Sequence, residues 1–307
     1  MPIRIPSDLP AQTILNSENV FVMDSDRASS QDIRPLQVGI LNLMPNKIQT
    51  EVQLCRLLSN TPLQINIDLI RIDMRESKHT PQAHMDNFYL PFEAVEDKFY
   101  DGLIITGAPV ALMPYEDISY WSEITRIMEW ARNQVQSTLY LCWAAHAAMY
   151  HHYGVNRDIR EEKLFGVFQH QVMHPLNELV RGFDANFWAP HSRYGNIPAT
   201  SYNAQSDLQV LAGSDEVGAY LIASNDKRVV FLTGHPEYDA NTLQLEYERD
   251  SGSDNETALP KHYFVNDDPA LQPMMTWRAH GALLFSNWLN YYVYQTTPYD
   301  LAELSSN

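Results

Sequence analysis

The sequence predicts an α/β fold in which a mostly parallel sheet is flanked by helices. Three observations lead to this prediction. Apolar runs typical of buried strands recur at residues 36–44, 63–72 and 102–106. Residues 118–136 carry apolar positions at helical spacing, and a further β-rich run follows directly at 137–142. Strands that alternate with helices favour parallel pairing, because the helix returns the chain to the edge where the previous strand began.

The N-terminal region differs in character from the rest of the chain. Residues 1–34 are polar and punctuated by prolines, and we expect an arm that packs on the surface or on a partner subunit. Thr50 is expected to cap the helix that follows the first strand. We find no internal repeat and no low-complexity linker after the arm. Residues 35–307 are therefore expected to form a single domain.

The second half of the chain has a weaker pattern. Residues 155–200 are interpreted as loop-rich, and residues 250–274 as an acidic surface excursion that contains prolines. Further strands are predicted at residues 208–211, 219–223 and 229–233, and a last apolar helix at 277–294.

The composition excludes several classes of partner. Asp and Glu number 38 against 21 Lys and Arg, which gives a formal net charge of −17. Nucleic acids and anionic membrane surfaces need a basic protein face, so neither is expected to bind. The start of the chain lacks a charged-then-apolar signal region, and no apolar run approaches the ~20 residues of a membrane span. We therefore expect a cytoplasmic protein.

Only two cysteines occur, and they have different contexts. Cys55 lies in a segment with helical apolar spacing and is interpreted as a buried structural residue. Cys142 ends a strand and precedes a run of small residues that begins a helix. A nucleophile on a tight strand-to-helix turn is typical of α/β acyl-transfer enzymes. There the helix start lowers a thiol pKa, and the backbone N–H of Trp143 would face a developing oxyanion.

A base and an acid follow the strand predicted at residues 229–233. His235 and Glu237 are two positions apart in an extended segment, so both side chains point to the same side. Glu237 can then fix the tautomer and the orientation of the imidazole. A thiol, an imidazole and a carboxylate at strand ends are the components of covalent acyl chemistry.

The chain resembles the homoserine O-acyltransferases over nearly its whole length, and among them the homoserine O-succinyltransferases of methionine biosynthesis. The resemblance is carried by the strings MPIR at 1–4, LNLMP at 41–45, RID at 71–73, NFY at 87–89, TGAP at 106–109, CWA at 142–144, APHSRY at 189–194, TGHPEYD at 233–239 and NWLNYYVY at 287–294. It implies a class I glutamine amidotransferase-like fold, which is a flavodoxin-like architecture. It also implies a homodimer, with L-homoserine and an acyl-CoA as substrates.

Residue roles follow from the resemblance at matching positions. Cys142 would carry the acyl-thioester, His235 would accept a proton and Glu237 would be its partner. Three further residues match substrate-contact positions of the family, namely Lys163, Ser192 and Arg249. Arg249 can clamp the homoserine carboxylate with parallel hydrogen bonds, and Ser192 can position a polar substrate atom. Lys163 supplies positive charge for the acyl group or its carrier.

Two weaker candidates come from position in the sequence. Lys47 lies beside the end of the first strand, and Glu246 lies one helical turn before Arg249, where it could meet the homoserine ammonium. The acyl group itself depends on position 111. In the family a glutamate there accompanies acetyl transfer and a glycine accompanies succinyl transfer, with Ser192 as a second specificity position. This chain has Ala111, which adds a methyl group and no charge, so succinyl-CoA is the favoured donor.

Three alternatives stay open at this point. The first is an acetyltransferase with the same mechanism. The second is a glutaminase-like amidotransferase or a hydrolase, although the glycines that usually flank the cysteine are replaced by Tyr140 and Ala144. The third is a binding protein that has kept the fold. No bound cofactor is expected, and no metal, because the pairs Cys142–His146 and His170–His174 lack a third ligand with suitable spacing.

Overall fold

The structure is a computed structural model that describes residues 3–6, 8–18, 22–23, 34–72, 80–251 and 258–298. In this part of the chain a single 12-stranded sheet forms the centre of the molecule. Its strands run in the order β2-β1-β4-β3-β6-β7-β12-β11-β10-β8-β9, and β5 pairs with β4. The bounds are β1 Ile3–Arg4, β2 Val22–Met23, β3 Leu36–Leu41, β4 Ile65–Arg71, β5 Tyr89–Pro91, β6 Tyr100–Ile105, β7 Val135–Leu141, β8 Asp158–Val172, β9 Asn186–Asn196, β10 Leu208–Ser214, β11 Gly218–Ser224 and β12 Val229–Leu232.

Parallel pairing extends from the β2 edge to β12, and the remaining strands pair antiparallel. Every residue of β6 and of β7 is buried, as expected for central parallel strands that are covered on both faces. The predicted α/β architecture with a mostly parallel sheet is therefore confirmed.

Helices cover both faces of the sheet. The helices are α1 Pro10–Ser17, α2 Lys47–Leu58, α3 Gln82–Phe88, α4 Trp121–Gln134, α5 Trp143–Tyr153, α6 Ala199–Asn203, α7 Thr242–Ser251 and α8 Arg278–Asn287, which continues into a π-helix at Trp288–Tyr294. Leu139 and Leu141 of β7 pack in one apolar cluster with α2 and α8, whereas Tyr140 packs in another with α4 and α5. This alternation follows from the two-residue period of a strand. None of the described helices is long and apolar enough to cross a membrane.

The start of α2 lies earlier than the sequence suggested. Asn46 is the capping residue, because its side chain accepts a hydrogen bond from the backbone N–H of Gln49. Thr50 lies inside the helix, and its hydroxyl donates to the carbonyl of Asn46 at 3.1 Å. The prediction that Thr50 is the cap was wrong, since Asn46 offers the same capping chemistry one turn earlier.

The described part of the N-terminal region packs against its own chain. Strand β1 extends the sheet through parallel pairing with β4, with Ile3 opposite Ile65. Leu15 of α1 is fully buried in the same apolar cluster as Leu54 and Leu58 of α2. The rest of the predicted arm, including residues 24–33, lies outside the described residues.

The region 155–200 is not loop-rich, and this prediction was wrong. It contains the long antiparallel pair β8 and β9, with Phe165 opposite Ser192 and Val167 opposite Pro190. Much of the first half of β8 is exposed, so its charged residues resemble a loop in sequence. A strand with one open face carries polar residues that obscure the apolar pattern.

The segment after α7 is only partly a surface excursion. Residues 252–257 lie outside the described residues, but Lys261 pairs with β8 through backbone hydrogen bonds to Phe165 and Val167. Tyr263 and Phe264 are buried in a small apolar cluster with Trp277. These aromatic side chains anchor the segment to the body of the protein.

Gly166 allows the segment to approach β8 so closely. Its φ is +143°, and a Cβ built there would lie 2.4 Å from the backbone nitrogen of Lys261. We expect Gly166→Ala to lower the free energy of unfolding by about 3 kcal/mol, because the backbone must move apart. Gly154→Ala is the matched control. Gly154 has a φ of +67°, but nothing lies within 4 Å of the new Cβ, so we expect the free energy of unfolding to fall by only about 1 kcal/mol. Urea denaturation would measure both values, and equal losses would contradict the close-approach argument.

Candidate active site

Cys142 occupies a strained turn between β7 and α5. Its φ is +49° and its ψ is −109°, a conformation that an L-residue adopts only when its surroundings impose it. The Cys142 N–H donates to the carbonyl of Leu232 on the neighbouring strand at 2.7 Å, which holds the turn against the sheet. The side chain is buried and lines a cavity. Such a turn presents a nucleophile above the ends of the parallel strands.

The topology brings His235 to the same place. Strands β7 and β12 are parallel neighbours, with Leu141 opposite Leu232, so the residues that follow each strand emerge at one edge. The imidazole of His235 is within hydrogen-bond reach of the Cys142 thiol. The backbone N–H of His235 donates to the carbonyl of Pro190 on β9 at 2.9 Å. The base is therefore fixed between the parallel and antiparallel halves of the sheet.

Glu237 completes the chain of hydrogen bonds. Its Oε1 lies 2.7 Å from His235 Nδ1, and both side chains are buried. The ring of Tyr238 stacks on His235, with ring centroids 4.2 Å apart and planes at 17°. Since Nδ1 is engaged by the carboxylate and one ring face is covered, the orientation of Nε2 toward Cys142 is restricted.

The charges around His235 favour its protonated form. Burial alone would lower the pKa of His235, but negative charge on Cys142 and on Glu237 outweighs it and raises the pKa well above its usual value. The raised pKa favours the imidazolium form of the ring beside the Cys142 sulfur. Burial instead raises the pKa of Cys55 to about 12, so that thiol stays protonated and inert.

A cavity of about 330 Å³ opens in front of Cys142. One wall is the loop after β6, another comes from β8 and β9, and α7 contributes a third. The loop residues that line it are Gly107, Ala108, Pro109, Val110, Ala111, Leu112 and Met113. Gly107 adjoins the reacting groups, since a Cβ there would contact Cys142 Cβ at 3.4 Å and His235 Cε1 at 3.6 Å.

Four of the predicted substrate residues meet in this cavity around Glu246. The Glu246 carboxylate accepts hydrogen bonds from Ser192 and from Lys163, the latter at 3.3 Å. Tyr238 donates to its other oxygen at 2.8 Å, which links this group to His235. Lys163 and Arg249 both pair with Asp250, at 3.2 Å and 2.7 Å. Cationic and anionic groups thus lie together, as an amino-acid substrate with both charges requires.

Lys47 does not line this cavity. Its ammonium group is largely buried and donates to the carbonyl of Asn42 at 2.5 Å, over the ring of Tyr89. Position beside a strand end did not determine the direction of this long side chain, and its contacts support the turn after β3. Trp143 and Ala111 do line the cavity, as expected from the turn and from the loop. The backbone N–H of Trp143 belongs to the first turn of α5, where N–H groups lack intrahelical partners.

Sequence reasoning missed several residues of this site. Tyr238 and Asp250 adjoin predicted residues, so their positions in the chain carried a usable signal. Gly107 lies within the TGAP string, which also marks it. Arg157 lines the cavity from a region interpreted as loop, and nothing in the sequence pattern distinguishes it.

The histidines of the pair His170–His174 have other partners in the structure. His170 Nε2 lies 3.0 Å from His191 Nε2, and His174 Nδ1 lies 3.1 Å from the amide of Gln209. Within the described ranges, a different group brings metal-ligating atoms within 4.8 Å of one another, and it consists of Glu129, His151 and His152. His151 already hydrogen-bonds to Glu129 there at 2.7 Å, so simple pairing accounts for the contact.

Comparison with solved structures identifies the fold. A glutamine amidotransferase from Thermotoga maritima matches with a TM-score of 0.56 and 13% sequence identity, covering 85% of this chain and 100% of that one. A glutamine amidotransferase from Methylobacillus flagellatus matches with a TM-score of 0.52 and 11% identity, covering 84% and 95%. The chain therefore has the class I glutamine amidotransferase-like fold implied by the resemblance.

Sequence relatives are much closer. Homoserine O-succinyltransferases from Alteromonas mediterranea and Pseudoalteromonas atlantica are 65% and 63% identical, and cover 99% and 100% of this chain and 98% and 99% of their own lengths. The enzyme of that name from Yersinia pestis is 55% identical and covers 99% of both chains. The family model for homoserine O-succinyltransferase matches residues 2–299. This chain therefore belongs to the homoserine O-succinyltransferase family.

Proposed function

We propose that this chain transfers the succinyl group of succinyl-CoA to the hydroxyl of L-homoserine through a thioester on Cys142, as a step of methionine biosynthesis. The observation that supports it best is the placement of Cys142 next to His235, whose Nδ1 lies 2.7 Å from Glu237, with both Cys142 and His235 lining one cavity. The substrates are inferred from the names of the relatives, and the covalent mechanism is inferred from the geometry of the site.

The first half-reaction acylates the enzyme. The Cys142 thiolate attacks the thioester carbon of succinyl-CoA, and the carbon–sulfur bond to coenzyme A breaks. The departing thiolate of coenzyme A takes the proton of the His235 imidazolium, which leaves the ring neutral. The backbone N–H of Trp143 faces the oxyanion of the tetrahedral intermediate. Because acylation removes the charge on the sulfur, it also removes a cause that raises the pKa of His235.

The second half-reaction uses the neutral ring as a base. His235 accepts the hydroxyl proton of homoserine while the oxygen attacks the acyl carbon. The Cys142 thiolate leaves, O-succinyl-L-homoserine forms, and the thiolate–imidazolium pair is restored. Glu237 stabilises the imidazolium that forms and holds the tautomer. Each half-reaction thus prepares the protonation state needed by the other.

The charged group around Glu246 is proposed to bind homoserine. Arg249 would bind the homoserine carboxylate. Glu246 would bind the homoserine ammonium group in the place where the ammonium group of Lys163 now donates to it. Ser192, already bonded to Glu246, would position the substrate and contribute to specificity. Lys47 is set apart from this binding site, since it does not border the cavity.

The residue at position 111 and the names of the relatives both disfavour acetyl-CoA as the donor. Ala111 lines the cavity without adding a charge that would repel the succinyl carboxylate. The glutaminase alternative is supported by the fold alone, because the matched amidotransferases are only 11–13% identical.

The assembly and the compartment complete the proposal. We retain the single domain after the N-terminal arm, the homodimer and the cytoplasmic location, with succinyl-CoA as co-substrate and no bound cofactor. Light scattering of the purified protein would test the dimer, and a molar mass of one chain would refute it.

Replacing the nucleophile should abolish transfer. We expect Cys142→Ala to lower kcat/KM by at least about 1,000-fold, because no other group can carry the acyl chain. Incubation with succinyl-CoA without homoserine should leave the mass of one succinyl group on the wild-type protein and none on the variant. Cys55→Ala is the matched control, since that thiol is fully buried elsewhere and should keep both activity and acylation. An acylated Cys142→Ala protein would exclude the thioester.

The charge of Glu237 should set the acidic limit of turnover. The negative charge raises the pKa of His235, so its removal in Glu237→Gln should lower that pKa. The second half-reaction needs a neutral ring and fails as pH falls through the pKa. The acidic limb of kcat should therefore shift to lower pH, while the maximal kcat falls by about 100-fold or more through loss of orientation.

Glu237→Asp keeps the charge and is the matched control for this shift. Its acidic limb should stay closer to that of the wild type than the limb of Glu237→Gln. A limb that moves to higher pH in Glu237→Gln would contradict the proposed role of the carboxylate.

A further inference from the structure

Arg157 holds the loop that carries position 111. Its Nη2 donates to the carbonyl of Ala111 at 2.9 Å and to that of Met113 at 2.7 Å, and its Nε lies 3.2 Å from the Ala111 carbonyl. The guanidinium lies over the ring of Tyr115, 3.9 Å from the centroid. The side chain is 8% exposed and borders the cavity. Arg157 is thus a buried cation that is fixed in place before any substrate arrives.

One nitrogen of the Arg157 guanidinium has no hydrogen-bond partner among the described residues. Nη1 of Arg157 is buried and makes no hydrogen bond to any described residue. The same holds for Nε2 of His146 and for the indole N–H of Trp143, and all three residues line the cavity. A buried donor without a partner costs about 1–3 kcal/mol, so several at one cavity indicate a ligand that accepts hydrogen bonds.

His146 and Arg157 border the same cavity as Cys142. His146 lies in the first turn of α5, and its backbone N–H donates to the carbonyl of Cys142 at 3.4 Å. His146 and Arg157 both adjoin Gly195, where a Cβ would lie 2.8 Å from His146 Nδ1 and 2.9 Å from Arg157 Cδ. The two carbonyl carbons of a succinyl group are about 4 Å apart, as are atoms separated by three bonds in a trans chain.

The charged groups of the cavity fall into two sets, one around Glu246 and one around Arg157. The carboxylates that line it are Glu246 and Asp250, and both already pair with Lys163. Burial, together with the nearby Arg193 and Arg157 guanidinium groups, lowers the pKa of His146 well below its usual value, so that ring is neutral. Arg157 therefore has a guanidinium N–H that no carboxylate of this cavity lining engages. An anionic ligand group would supply the missing partner.

We infer that Arg157 binds the distal carboxylate of the succinyl group through Nη1, with His146 Nε2 as a second donor. This inference rests on the proposed function, since it names the subsite that the acyl chain of succinyl-CoA would occupy. It assigns the preference for a dicarboxylic acyl group to a buried cation, and it leaves homoserine to the group around Glu246.

The subsite also explains why position 111 selects the donor. The Ala111 carbonyl is bonded to Arg157, so a longer acidic side chain at 111 starts within reach of the same guanidinium. In Ala111→Glu the new carboxylate would occupy the subsite and neutralise Arg157. A small neutral acyl group would then fit better than succinyl, because the cation is no longer available.

The test compares two donors of equal chain length, succinyl-CoA and butyryl-CoA, which lacks the distal carboxylate. In Arg157→Met we expect kcat/KM for succinyl-CoA to fall by about 100-fold or more, because a charge-assisted contact is lost. The value for butyryl-CoA should fall by a smaller factor, about 10-fold at most, because the loss of the hydrogen bonds to the loop affects both donors alike. Arg228→Met is the matched control: Arg228 also bonds two backbone carbonyls, those of Arg132 and Val135, and does not line this cavity, so neither donor should be affected.

Two further variants keep the test decisive. Arg157→Lys retains the charge and should lose about 10-fold with succinyl-CoA only, and it replaces Arg157→Met if circular dichroism shows that the latter is unfolded. In the Ala111→Glu background, replacing Arg157 should cause little further loss with succinyl-CoA, because its cation is already neutralised. Equal losses with both donors would overturn the inference, since Arg157 would then only hold the loop.

The wild-type protein separates this inference from the proposed function. If wild type transfers neither acyl group to homoserine, the proposed function fails. If wild type prefers succinyl-CoA and Arg157→Met keeps that preference, only the carboxylate subsite is refuted.

Discussion

The contact between the Cys142 sulfur and the His235 imidazole is the constraint on which the rest of the site depends. It joins residues 93 positions apart in the chain by placing them at the ends of adjacent parallel strands, β7 and β12. Burial lowers the pKa of His235, but the interactions with Cys142 and Glu237 outweigh this effect and raise the pKa above its usual value. A change in strand register by one residue would turn one of these side chains away.

The surrounding structure maintains this contact at a cost in backbone strain. Cys142 has a positive φ, a conformation that costs about 1–3 kcal/mol and persists only when its neighbours determine it. The hydrogen bond from Cys142 N–H to Leu232 and that from His235 N–H to Pro190 tie the two reacting residues to β12 and β9. Gly107 of the loop after β6 adjoins both side chains. Strain at the nucleophile is thus balanced by the packing of the fully buried central strands β6 and β7.

The sequence was most informative where the pattern is local. Buried parallel strands appear as apolar runs, and Cys142 could be placed because it follows one such run and precedes a helix. The long β8–β9 pair was missed because its exposed first half carries charged residues that resemble a loop. Lys47 follows the end of β3, but its ammonium group donates to the carbonyl of Asn42, because a position near a strand end does not determine where a long side chain points. Contacts across the sheet, such as those of Arg157, leave no periodic signal.

The region that was hardest to predict also contributes several of the residues that line the cavity. The parallel half of the sheet supplies Cys142, and β12 leads into His235, the arrangement expected of an acyl-transfer turn. The β8–β9 pair and the residue that precedes it bring Lys163, Ser192 and Arg157 to the same cavity. These strands are antiparallel additions at the edge, with fewer packing constraints than β6 and β7. We therefore expect reaction chemistry to be determined by the central strands, and substrate choice by the contacts that the edge strands make with the loop at position 111.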